Sequence, residues 1–286
     1  MKYNIISDIK AILELLNISV IQLAEYLKVN KTTIYRIIQN KTEPSDLFLE
    51  NFYSFAYSNK IRNLRINELK VRLAKENHEK ILFHGARLPI QGQIDIAHSR
   101  LNIDLGQGFY LGESYEQASS YIFANKKSSI YIFDISKLSK MKTIEFDVST
   151  EWMIAVCYYR GQLEEYKNSQ YVKRIIEKVE RSEVVIAPIA DNNMYDIINR
   201  FARGDITDIQ ATIALSASHL GKQHVLRTNK ACENIEFIDR LYLCEKERDD
   251  IEEKRREAAL ASLSKANSSI KNYRHNGKYI EELLNE

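Results

Sequence analysis

At Ile81 the sequence changes texture, and that change constrains the fold more than any other feature. Before it, apolar residues recur at helical spacing, with Ile9, Ile12, Leu13 and Leu16 on one face. After it come short apolar runs that read as strands, over residues 81–85, 129–135, 184–190, 224–228 and 234–243. Helices are predicted between them over 115–124, 150–159, 169–181, 194–203 and 207–219. Strands separated by helices without a strict βαβ rhythm imply an α+β class. The 286 residues exceed the roughly 100–200 of one ordinary domain. The expected organisation is a helical domain over 1–60, a basic helical linker over 61–79, a β-sheet domain over 80–243, and a charged helix and tail over 244–286.

In the helical part, Ser19 is placed to cap a second helix, Asn30 a third, and Pro44-Ser45 to introduce a fourth. Residues 22–40 have helix-turn-helix spacing: Ala24 where two helices cross, Val29 plugging the turn, Ile34 and Ile37 docking the third helix. Burying Ile34, Ile37 and Ile38 turns Tyr35 outward together with Lys31, Thr32, Thr33, Arg36 and Gln39, of which the latter five are a set suited to base edges and phosphates. The segment resembles the phage-repressor-like regulator family, with Lys28 where the turn often has glycine. That resemblance implies DNA as a partner and allows a homodimer. A helical domain used for protein contacts alone is the alternative.

The linker carries Arg62, Arg65, Lys70, Arg72, Lys75 and Lys80, read as a solvated face or as added phosphate contacts. The stretch 245–265 is rich in opposite charges and poor in apolar stripe, so it reads as a solvated extension or a partner-binding arm, followed by a tail in which Tyr279-Ile280 and Leu283-Leu284 are the residues able to dock.

The residues with chemistry to offer lie between 81 and 123. A strand ends in His84-Gly85; Gly106-x-Gly108-Phe109-Tyr110 follows; Tyr121 comes eleven residues after Tyr110. A strand-end histidine can hydrogen-bond a ribose hydroxyl. Gly85 lets backbone approach a carboxamide edge. Tyr110 and Tyr121 could flank a flat heterocycle, since aromatic faces stack on other π systems. Leu111 stands where a dinucleotide-fold motif would have its third glycine, which excludes that motif.

In order and spacing these residues resemble the NAD-binding half of the ADP-ribosyltransferase superfamily, on the branch of diphtheria-type toxins and poly-ADP-ribose polymerases. Asp104–Tyr110, Trp152 with Arg160, residues 185–191 and residues 223–228 are similar to a group of uncharacterised bacterial domains assigned to that superfamily, over roughly 80–242. The resemblance implies an ADP-ribosyltransferase-like split sheet that uses NAD as substrate and no metal. It implies that His84 orients the adenine-side ribose, Gly85 binds the carboxamide, Gly108 shapes the turn, Tyr110 and Tyr121 hold the nicotinamide, and Arg160 pairs with the diphosphate. The third catalytic position, usually glutamate, falls on Gln223, and Ala118 stands where polymerase relatives have serine. An amide offers a dipole but no base, so the reaction relies on positioning, on a substrate nucleophile already reactive, or on a carboxylate from elsewhere, with Glu113, Glu183 and Asp191 as candidates. The implied activity is mono-ADP-ribosyl transfer to a protein or nucleic-acid acceptor, in a toxin–antitoxin or phage-defence setting with an antitoxin-like partner. The alternatives are a regulator that senses NAD or ADP-ribose without turnover, and an NAD glycohydrolase.

Composition bounds the partners. A net charge of +2 gives no global pull toward nucleic acid, so any basic patch is local. Cys157, Cys232 and Cys244 lack the count and spacing of a disulfide or metal framework. No stretch of about 18 apolar residues exists to cross a membrane, and the start has no apolar signal core; the expected location is cytoplasmic.

Overall fold

A computed structural model describes residues 1–61, 66, 69, 80–190, 192–216, 221–273 and 276–285, the side chains of 192, 193, 259 and 261–267 excepted. The basic linker expected over 61–79 thus lies almost wholly outside the described residues. In chain order the described helices are α1 (Ile5–Leu15), α2 (Val20–Leu27), α3 (Lys31–Ile38), α4 (Asp46–Ser58), α5 (Tyr115–Ser120), α6 (Thr150–Tyr159), α7 (Gln170–Glu180), α8 (Asn192–Ala202), α9 (Asp208–Ser216), α10 (Asn229–Glu233), α11 (Glu245–Asn272) and α12 (Ile280–Leu284). The strands are β1 (Ile81–Ala86), β2 (Phe109–Gly112), β3 (Ser129–Asp134), β4 (Thr143–Glu145), β5 (Val184–Pro188), β6 (Lys222–Leu226) and β7 (Glu236–Tyr242). The class is α+β, as the sequence texture implied: four helices precede a mixed set of seven described strands. Two compact units divide the chain, each assembled from separate stretches: Met1–Gly92, Ala118–Ser136 and Phe237–Glu253, then Gln93–Gln117, Lys137–Glu236 and Lys254–Glu286.

In the first unit, local sequence sets the helix ends. Ser19 and Gln22 form a reciprocal capping box at the start of α2, at 2.8 and 3.2 Å. Asn30 caps α3 by accepting from the Thr32 N–H at 2.8 Å, and Ser45 caps α4. Lys28, with φ +54°, takes the left-handed position that ends α2, and the Val29 N–H reaches back to the Ala24 carbonyl at 2.9 Å. Asn40, with φ +56°, ends α3 in the same way through Lys41 and Arg36. The apolar faces of α1 to α4 meet around Ile9, Leu23, Ile34 and Phe52, all wholly buried.

The same unit holds three strands in the order β1-β3-β7. β1 and β3 are antiparallel, with His84 opposite Tyr131 and Gly85 opposite Ile130. The start of the chain is fastened to them. Tyr3 lies edge-on to Tyr242, which stacks on Tyr53 at 5.3 Å. The Tyr3 hydroxyl meets Ser129 Oγ at 2.7 Å, and the Arg240 guanidinium lies 4.0 Å from the centre of the Tyr3 ring.

The charged stretch after Cys244 is exposed over most of its described length, as a solvated extension would be, but its start is not. Glu247 and Arg248 are buried. The Tyr57 hydroxyl donates to Asp250 at 2.8 Å, the Glu245 N–H donates to Glu50 at 2.7 Å, and Arg248 donates to the Leu243 carbonyl. Asp250 thus has a specific partner on α4, which the sequence pattern could not show. The helix also runs on to Asn272, beyond the expected 265.

In the second unit four strands run in the order β4-β5-β6-β2, with β4 parallel to β5 and the other pairs antiparallel. Their core is built on α6, where every residue from Trp152 to Cys157 is buried, and on the apolar faces of α7, α8 and α9. α12 joins it through Ile280 and Leu284, so the tail docks. β4, three residues long, and α10, five residues long, were not foreseen. α5 stops at Ser120 rather than 124, which places Tyr121 in the turn beyond it.

Candidate functional site

The third helix presents the expected residues. Ile34 and Ile37 are buried and Ile38 half-buried; Lys31, Thr32, Tyr35, Arg36 and Gln39 are exposed, and Thr33 is half-buried.

The residues proposed for NAD divide between the two units. His84, Gly85 and Tyr121 belong to the first. His84 is half-buried on β1. A side-chain carbon on Gly85 would strike the Ala118 carbonyl oxygen far inside van der Waals contact and would lie 3.2 Å from Ile122 Cγ2. Glycine there lets β1 press against the C-terminal half of α5, which brings His84-Gly85 to the turn that carries Tyr121. The Tyr121 side of that turn is 49% exposed. Ala118 and Ser119 are buried beneath it.

Gly108, Tyr110, Arg160 and Gln223 belong to the second unit. Gly106, at φ +75°, makes the turn before β2; a side chain there would meet Tyr159 Cδ1 at 2.7 Å. Gly108 has a packing reason of its own, because a side chain would meet Val225 Cγ1 at 2.7 Å and the Leu226 carbonyl at 2.8 Å. The Tyr110 hydroxyl ties this turn together, donating to the Gly106 carbonyl at 2.6 Å and accepting from the Leu105 N–H at 3.2 Å. Burial, reinforced by the nearby Asp104 carboxylate, pushes its phenol above the usual range. Arg160, expected to face a diphosphate, forms an ion pair with Asp104, its Nε donating at 2.8 Å, and lies 3.7 Å over the Tyr195 ring. Gln223 is buried, on a strand flanked by β5 and β2, and its amide donates to the Pro188 carbonyl at 3.2 Å.

The carboxylate candidates separate clearly. Glu183 pairs with Lys230 at 2.7 Å and accepts from the Lys142 N–H at 3.0 Å; these contacts hold its carboxyl below the usual range. It sits beside the first residue of β5, which pairs with the last residue of β6, the opposite end from Gln223. Asp191 lies outside the described residues. Glu113 follows Gly112, the residue directly opposite Gln223. Its Oε2 accepts from the Lys222 N–H at 3.0 Å and its Oε1 stands 3.6 Å from His224 Nε2. Sequence reasoning could not place it, because the placement follows from the β2–β6 register.

Residues 80–237 match the family model described as "Protein of unknown function (DUF3990)". The chain belongs to the DUF3990 family. A helix-turn-helix model matches residues 9–51, so a helix-turn-helix of the kind that binds DNA precedes the DUF3990 region. No curated protein and no solved structure matches the chain. Among the described residues no helix is long and apolar enough to cross a membrane.

Buried acids inside and beside the DUF3990 region give the protein a defined alkaline limit. Burial pushes the Cys157 thiol up to about 12 from its ordinary 9.0, and the Tyr159 phenol up to about 12 from 10.0. Tyr57, Tyr110 and Tyr242 are raised as well, also chiefly by burial. Below pH 9 neither state ionises these groups. Above it the unfolded chain releases protons that the folded chain retains, so stability falls as pH rises toward 12. Denaturant titrations across this window should show a steadily falling midpoint, with the last part of the phenolate absorbance appearing together with unfolding. Phenolate formation by all 17 tyrosines in a fully folded protein near pH 10 would contradict the burial.

Proposed function

We propose that the DUF3990 region is an NAD-consuming mono-ADP-ribosyltransferase. The observation that carries the reading is the junction in the first unit, where Gly85 presses His84 and the strand end against the helix leading to Tyr121. In this reading His84 orients the adenine-side ribose, Gly85 reads the carboxamide through its backbone, and Tyr121 covers one nicotinamide face. Tyr110, Gly108 and the brace of Asp104 and Arg160 shape the glycine turn, and Gln223 contacts the nicotinamide-side ribose. The acceptor is a macromolecule, and single units are added, since a glutamine cannot activate a bound ribose hydroxyl for chain growth. Incubation with NAD labelled in its adenylate part tests this. Label transferred to macromolecule supports it; free ADP-ribose alone indicates a glycohydrolase; binding without turnover indicates a sensor. The sensor reading has its own support, because the Gln223 amide is occupied by the Pro188 carbonyl.

The helix-turn-helix completes the proposal as an autoregulatory DNA-binding element. Two copies would bind half-sites about 10 base pairs apart, one turn of the duplex. Arg36 is exposed on α3 and has no structural duty that its loss would disturb. Arg36→Ala in the full chain is expected to abolish specific retardation of the protein's own operator, with unchanged melting. Equal wild-type binding to random DNA at physiological salt would leave α3 a protein-contact helix.

A further inference from the structure

Transfer of ADP-ribose to a hydroxyl calls for a base to receive the acceptor's proton, and an amide at position 223 cannot be that group. We propose that Glu113 is the general base, acting on a hydroxyl-bearing acceptor; this rests on the NAD-consuming reading above.

The argument is one of position and of competition among carboxylates. Glu113 leaves β2 immediately after Gly112, whose Cα pairs with that of Gln223. No side chain therefore stands on β2 opposite Gln223, and the next residue carries a carboxylate to the Lys222–His224 side of that strand end. One oxygen is fixed by the Lys222 N–H at 3.0 Å, while the other stands 3.6 Å from His224 Nε2. Gly221 makes that cradle possible. Its φ is +82°, and a side chain there would collide with the Gln117 amide and crowd Glu113 Oε2 to 3.3 Å. Glu113 is 44% exposed, within reach of solvent and of a substrate.

Among the described carboxylates nearby, three are committed. Glu145 and Asp147 share the Lys222 ammonium, at 2.5 and 3.0 Å. Glu183 is paired with Lys230 at the far end of the strand. Among its described contacts Glu113 faces a backbone amide and an imidazole instead of a lysine or arginine side chain, and these orient its carboxylate. In the step, the bond from ribose C1′ to the pyridinium nitrogen breaks, and its electron pair leaves with neutral nicotinamide. A lone pair of the acceptor oxygen forms the new bond to C1′. The acceptor's proton passes to Glu113 and from there to solvent, with no change of oxidation state.

Glu113→Gln keeps an oxygen for the Lys222 N–H and removes the base. It is expected to lower nicotinamide release with transfer at least about 100-fold, the lower range for loss of a general base, while NAD affinity by calorimetry stays within about twofold. Glu113→Ala is expected to lose activity likewise and to recover part of it with added formate, which a merely structural role would not do. Glu183→Gln serves as the control and is expected to keep wild-type turnover. Full turnover in folded Glu113→Gln, or no formate rescue of a folded Glu113→Ala, overturns the assignment while leaving the NAD reading intact. A wild type that binds NAD without cleaving it overturns the role of Glu113 alone. A wild type that does not bind NAD overturns both.

Discussion

Gly85→Ala is expected to lose NAD binding and to unfold at lower denaturant. The added methyl would point at the carbonyl oxygen of Ala118, a backbone atom held in α5, with Ile122 Cγ2 next at 3.2 Å. Neither can swing aside as a flexible side chain would. The strand or the helix must therefore move, and overpacking of this kind costs about 1–3 kcal/mol. Moving α5 off β1 also displaces the turn with Tyr121, so stability and NAD affinity should fall together. Ala86 is the comparison, since it already carries a methyl at the next position of β1; Ala86→Ser should leave NAD affinity close to wild type. A Gly85→Ala protein with wild-type melting would mean that β1 and α5 are not pressed together, and calorimetry with NAD would decide the functional half separately.

Trp152→Ala is the other large effect. The indole is wholly buried in the core of the second unit, on a helix whose residues 152–157 are all buried. Removing so large a buried ring costs about 3–5 kcal/mol. Against a typical total stability of roughly 5–15 kcal/mol, that is a large share. Circular dichroism is the readout, because this is the chain's single tryptophan and its fluorescence goes with it. A shift in midpoint equivalent to under about 1 kcal/mol would place the indole at a site able to collapse around its loss.

The fold was legible where local chemistry decides it. α2 begins after Ser19, as its cap predicted, and α6 spans Thr150–Tyr159, the expected range. β4 was not legible, since three residues display no alternation, and α10 is a single capped turn after Thr228. The burial of Glu247 and Arg248 was hidden for a different reason: a charge run reads as solvated until its contacts are known, such as Tyr57 on Asp250, far apart in sequence. The candidate site divides likewise. His84-Gly85 and the glycine turn stand out as residues, but the hydroxyl of Tyr110 being spent on the Gly106 carbonyl depends on how five residues fold back. Glu113 meets His224 through a pairing of strands more than a hundred residues apart, and no local pattern encodes that register.

The fastening of the chain's first residues has a consequence for how such proteins can diversify. Tyr3 packs on Tyr53 and Tyr242, bonds Ser129, and lies under Arg240. A foreign DNA-reading head spliced in at residue 60 would meet Tyr242, Arg240 and Ser129 without the groups that complement them. A viable chimera must exchange Ser129 and the 237–253 stretch along with the head. A change of DNA preference is therefore reached more readily by point changes on the exposed side of α3 than by exchange of the whole head.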